Sequence, residues 1–70
     1  MDLVNNVKAI CNKRGLDRTR FIAECMRVDA CSFDTAGRLY DGETGFRYST
    51  LVRVAQLLKV SPVDLVTPKM

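Results

Sequence analysis

Cys11, Cys25 and Cys31, together with the complete lack of histidine, set the first limit on the chemistry open to this chain. No Cys-x-x-Cys spacing occurs, so a zinc site would have to combine cysteine with carboxylates, a poor donor set; no metal and no cofactor are expected. Nothing marks one thiol as activated, and all three read as small buried hydrophobes. No nucleophile stands beside a base, and Gly42-Glu43-Thr44-Gly45 lacks the lysine and following helix of a phosphate-binding loop. The expectation is therefore a protein that is not an enzyme and has no small-molecule substrate. What remains is a set of cations and hydroxyls, with one acid among them, gathered in three places: Arg18-Thr19-Arg20; Ser32, Thr35 and Arg38 with the acid Asp34; and Thr44, Arg47, Tyr48 and Ser49. With 11 Lys and Arg against 8 Asp and Glu, the net charge of +3 is compatible with a polyanionic partner without demanding one.

These groups must be carried by a small scaffold. Seventy residues make one domain, 1–70, with a thin core and no room for a deep cleft. No apolar run approaches the roughly 18 residues of a membrane span, and no secretory signal is visible at the start, so a cytoplasmic protein is expected. Five helical segments and no strand can be read. The first spans Leu3 to Lys13, with Leu3, Val7, Ile10 and Cys11 as one stripe, Asp2 as cap and Gly15 as stop. The second starts after the cap Asp17 and continues toward Asp29, its stripe Phe21, Cys25 and Val28 widened by Ile22 and Met26. Ser32 caps a third helix, Phe33 to Tyr40, and Asp41 to Gly45 is turn chemistry. Ser49 opens a fourth, with Leu51, Val54, Ala55 and Leu58 in helical phase; Ser61-Pro62-Val63-Asp64 starts a fifth, which Pro68 ends. The fold class that follows is all-α, with Leu16, Phe21, Ala36, Leu39, Leu51, Val54, Ala55, Leu58 and Leu65 buried together.

The second and third helices with the short break between them, and the stretch Thr50-Leu51-Val52-Arg53-Val54-Ala55-Gln56-Leu57-Leu58-Lys59-Val60-Ser61-Pro62, carry a resemblance. Together with Gly15-Leu16-Asp17-Arg18-Thr19-Arg20-Phe21 and Ser32 through Gly42, they make about 50 residues that resemble the lambda-repressor and Cro-like helix-turn-helix family. The resemblance implies a compact five-helix bundle and a nucleoid-associated transcriptional regulator, a repressor, on double-stranded DNA, with the helix Phe33 to Tyr40 in the major groove. It also implies a homodimer, for which Val63, Leu65, Val66 and the tail through Met70 are the candidate surfaces. The interval from Phe21 to Ser32 is about one helical turn longer than the family's, and Ala30 stands where its turn glycine is usual. Four added residues rotate a helix by about 400°, so the apolar stripe stays in phase when the added turn lies in the second helix.

On the third helix, Phe33, Ala36, Leu39 and Tyr40 cluster toward the core, while Arg38 lies almost opposite, flanked by Asp34, Thr35 and Asp41. Within the resemblance Arg38 reads a base, its planar fork matching guanine O6 and N7. Thr35 suits a thymine methyl or a phosphate, and Asp34 a cytosine amino group. Phe33 packs under the turn or touches a thymine methyl. Arg18, Thr19, Arg20, Ser32, Thr44, Arg47, Tyr48 and Ser49 are the expected phosphate contacts, being donors near helix starts. The plainer reading makes Arg38 and Asp34 a solvated ion pair, Tyr48 a packing residue, and Lys8, Arg27, Arg53 and Lys69 solvated faces. The competing function is a protein–protein interaction module that keeps the fold without DNA binding. An exposed apolar patch on the third helix favours that module; a continuous basic face across Arg18, Arg38 and Arg47 favours DNA.

Overall fold

A computed structural model describes residues 3–68. The order of elements is β1 (Leu3–Asn5), α1 (Val7–Lys13), α2 (Arg18–Arg27), α3 (Phe33–Tyr40), α4 (Tyr48–Leu58), α5 (Pro62–Leu65) and β2 (Val66–Pro68). The chain is mostly helical, and its two ends close on each other as a small antiparallel sheet with Leu3 opposite Pro68, Val4 opposite Thr67 and Asn5 opposite Val66. The expectation of a strandless all-α chain is corrected here. The first helix starts at Val7 rather than Leu3, and α5 stops at Leu65. Asp2, Lys69 and the tail through Met70 lie outside the described residues.

Local chemistry accounts for both changes. Thr67 precedes Pro68, whose ring disfavours the helical region for the residue before it, and Val66 is already extended at φ −135° and ψ 117°. The returning segment offers a strand to the N-terminus, and Asn6 N–H donates to Leu65 O at 2.7 Å where the two meet. Asn5 then secures the junction. Its Oδ1 accepts from Val7 N–H at 2.8 Å, while its Nδ2 donates to Leu39 O at 2.9 Å and Glu43 O at 2.6 Å, binding the N-terminal strand to the far end of α3. Asn6 Nδ2 similarly reaches Asp64 O at 3.0 Å and Thr67 Oγ1 at 3.1 Å.

The interior holds Val7, Cys11, Phe21, Ile22, Cys25, Ala30, Ala36, Leu39, Val54, Ala55, Leu58 and Leu65. Of the expected core, Leu16 and Leu51 are half-buried at its margin and the rest are buried. Three caps stand where the sequence places them. Asp17 accepts from Arg20 N–H at 2.8 Å, Ser32 from Thr35 N–H at 3.3 Å, and Ser61 with Asp64 forms a reciprocal capping box before Pro62. The fourth helix begins earlier than expected, at Tyr48, with Arg47 rather than a Ser49-led turn at the cap and no side chain capping it.

α1 through α4 all end in the same way. In each, the chain turns through a left-handed residue, and the next N–H reaches back to a carbonyl in the helix's last turn: Leu16 to Cys11 at 2.9 Å, Ala30 to Cys25 at 2.8 Å, Glu43 to Arg38 at 3.2 Å and Val60 to Ala55 at 3.0 Å. The left-handed residues are Gly15, Asp29, Gly42 and Lys59. The turn residue between α2 and α3 is thus Asp29, at φ 57°, and not Ala30, which is buried in the core one position later. This turn also ends α2 at Arg27, two residues short of Asp29, and leaves Val28 exposed at its cap. The lengthened helix still runs unbroken through Met26, but Met26 and Val28 both face solvent.

Lys59 holds its left-handed conformation at φ 58° with a side chain that disfavours it. Replacing it with glycine, Lys59→Gly, is expected to stabilise the fold by about 0.5–1 kcal/mol, because the Cβ clash with the following carbonyl disappears. A thermal melt should rise by about 4 °C; an unchanged or lowered midpoint contradicts the strain.

Candidate nucleic-acid interface

α3 has two sides of opposite character. Ala36, Gly37 and Leu39 are buried, while Phe33, Asp34 and Arg38 are exposed. Ser32 Oγ donates to Thr35 Oγ1 at 3.0 Å while accepting from Thr35 N–H, so these two hydroxyl groups close the start of the helix and Thr35 is half-buried. Phe33 does not pack under the turn: it is 63% exposed. As the first helical residue its Cα–Cβ bond tilts toward the helix N-terminus, ahead of the turns that carry buried Ala36 and Leu39.

The C-terminal end of α3 gathers charges of both signs. Arg18, in the first turn of α2, forks onto Asp41, with Nε at 3.0 Å from Oδ1 and Nη2 at 3.1 Å from Oδ2. The guanidinium passes over Gly37; a Cβ at that glycine would stand 2.9 Å from Arg18 Nη2. Arg38 Nε donates to both carboxylate oxygens of Glu43, at 3.2 and 3.1 Å, and its guanidinium carbon lies 5.6 Å from the centre of the Phe46 ring. Arg38 therefore does not pair with Asp34, four residues earlier, but with an acid beyond the helix end. The hydrogen bonds from Arg18 hold the Asp41 carboxyl below the usual carboxylate range. That pair is complete above the ordinary aspartate pKa and is lost only as pH falls through the lowered one. Both pairs are about half exposed, so they can exchange partners at little cost in stability.

The remaining expected contacts are placed as follows. Thr19 and Arg20 are exposed in the first turn of α2. Thr44 lies in the exposed loop before α4, Arg47 caps α4, and Tyr48 and Ser49 are exposed at its start. Tyr48, 67% exposed, is not the packing residue of the plainer reading. Through Asp41, Glu43 and Phe46, the fold brings Arg18 and Arg38 to one end of α3, and Arg47 follows Phe46 in the chain. Of the expected solvated faces, Arg27 pairs with Glu24 at 2.7 Å, and Lys8 and Arg53 are exposed. Leu65 is fully buried and is removed from the candidate dimer surfaces, leaving exposed Val63 and half-buried Val66 among the described residues.

Sequence reasoning missed Asp41 and Glu43 as the partners of the two arginines, as well as the Phe46 platform and the Asn5 hub. Glu43 sits five residues after Arg38, outside the helical i,i+3 and i,i+4 spacings, and becomes its neighbour only because the chain reverses at Gly42. Among the described residues no group of His, Cys, Asp and Glu could hold a metal ion, and no helix is long and apolar enough to cross a membrane. Comparison with protein-family models, with curated proteins and with solved structures finds no match to this chain.

Proposed function

We propose that this chain is a sequence-specific DNA-binding protein of the helix-turn-helix kind it resembles, regulating transcription by occupying its site. The observation that carries this reading is α3. It is a helix about 12 Å long, capped by Ser32, buried along Ala36, Gly37 and Leu39, and open to solvent along Phe33, Asp34 and Arg38. Such a helix fits the major groove, where residues near its start meet base edges. The exposed Phe33 ring suits a thymine methyl, and Arg38 suits a guanine once it leaves Glu43. Exposed Arg20, Arg47, Tyr48 and Ser49 serve as phosphate contacts. Two copies on a two-fold site is the accompanying proposal, with Val63 and Val66 as the remaining surface.

The interaction-module reading also has specific support. Arg18 and Arg38 are engaged by acids rather than forming a free basic face. Phe33, Met26 and Val28 are exposed, and Val28 lines an open groove of about 520 Å³ with Asp29, Ala30, Arg53, Gln56 and Leu57. The acids separate the two readings. In Asp41→Asn and Glu43→Gln one guanidinium is released and one negative charge removed beside α3. Binding to an unrelated duplex should tighten in both, and the dependence of log Kd on log salt should steepen by about 0.9 for each phosphate gained. Unchanged affinity and slope in both variants would show that this end of α3 does not face DNA.

A further inference from the structure

A second open groove, of about 510 Å³, runs between α1 and the start of α5 and is not used by the proposed interface. Ile10, Asn6 and Lys13 lie within about 60° of one another around α1, beside its buried stripe of Val7 and Cys11. Ala9, on the same wall, is exposed and too small to fill the space. The turn after α4 supplies Val60, which like Ile10 is half-buried against the core and leaves part of its side chain open to the groove. Both walls are tied in place. Asn6 Nδ2 donates to Asp64 O at 3.0 Å, and Val60 N–H donates to Ala55 O at 3.0 Å. The groove is thus formed before anything enters it, which lowers the cost of binding there.

Lys13 and Arg14 line the same groove at the end of α1. Both are exposed, and among the described residues neither is paired with an acid. Asp64, also on the lining, accepts Ser61 N–H through Oδ2 at 3.3 Å and is held to its own cap. An apolar floor therefore carries two uncompensated cations at one end. A small molecule finds too little enclosure here, because ligand pockets cover most of their ligand's surface. A nucleic-acid backbone brings phosphates for the cations but nothing apolar for Ala9, Ile10 and Val60. We propose that the groove binds an acidic amphipathic peptide segment of a partner protein. Its apolar side chains lie on Ala9, Ile10 and Val60, and its Asp or Glu carboxylates meet Lys13 and Arg14. From Asn6 to Arg14 the wall is about 12 Å long, so the occupant is short, with two or so helical turns in contact. No lining residue belongs to α2, α3 or the loop before α4, and the inference does not rest on DNA binding.

The probe is a displayed library of random peptides of about twelve residues, enough for three helical turns, panned on the folded full-length chain. Enriched sequences should combine apolar residues with Asp or Glu. A synthetic peptide of the enriched sequence is then titrated by fluorescence anisotropy, and its binding should weaken as salt rises. Lys13→Glu should weaken that peptide roughly tenfold. Ala9→Arg fills the groove while adding a positive charge, so it should also weaken binding roughly tenfold or more, where charge attraction alone would strengthen it. Both positions are exposed, and both replacements suit a helix, so the circular dichroism of each variant should match the wild type. Should one variant lose its fold, the other decides. The proposal is overturned if no sequence enriches, if the enriched peptides lack acids, or if either folded variant binds the peptide as tightly as the wild type. It is equally overturned if a random-sequence DNA duplex displaces the peptide. Sedimentation that finds the wild type self-associated and Ala9→Arg monomeric would also overturn it, by making a second copy the occupant.

Discussion

Asn5→Ala is expected to destabilise the fold by about 2–3 kcal/mol, out of proportion to a half-buried polar residue in a three-residue strand. One side chain supplies the first free N–H of α1 with an acceptor, and gives a donor to one carbonyl in the last turn of α3 and to one beyond it. Alanine removes all of these at once, and leaves the part-buried Leu39 carbonyl with only the longer bond from Gly42 N–H at 3.3 Å. In a domain of this size total stability is small, so the thermal midpoint should fall by about 10 °C or more. Helix content below the transition should stay close to that of the wild type, because α2, α3 and α5 keep their own caps and α4 has no side-chain cap to lose. A midpoint within about 2 °C of the wild type would show that the N-terminal strand is not secured in this way.

How much could be read from the sequence depends on how local the deciding interaction is. α2, α3 and α5 start at Asp17, Ser32 and Ser61 because a cap and its partner lie three residues apart, which sequence displays directly. The strands escape such a reading, since Leu3 and Val4 pair with residues more than sixty positions away and their helical spacing with Val7 is overridden by that pairing. Asp29 and Lys59 carry left-handed turns without being glycine, so the turns were visible at Gly15 and Gly42 but not at these two positions. The exposure of Phe33 turns on its place as the first residue of α3, ahead of the turns that carry buried Ala36, Gly37 and Leu39. The candidate site was legible in its residue types and in the outward position of Arg38. The carboxylates that occupy Arg18 and Arg38 were not, because they adjoin only after the chain reverses beyond Tyr40.

The second large effect is expected at Arg38. On a preferred duplex Arg38→Ala should cost about 1–3 kcal/mol and relax the choice of base at one position, since a bidentate contact to guanine is lost. Arg47→Ala should instead weaken binding to every sequence alike and make the salt dependence shallower by close to one unit. Both side chains are exposed and neither belongs to the core, so both variants should melt near the wild type. An Arg38 variant that keeps full discrimination would place base reading elsewhere on α3, with Phe33 and Asp34 the next positions to change.

Selection of bound duplexes from a random double-stranded DNA pool by gel shift, at low salt and with the wild-type chain, tests the central claim most directly. The account predicts enrichment of a short two-fold-related sequence over successive rounds, and loss of preference at one base pair in each half when Arg38→Ala is selected in parallel. A wild-type chain that shifts no DNA, or shifts it without enriching any sequence, would contradict sequence-specific DNA binding and leave the interaction module as the standing reading.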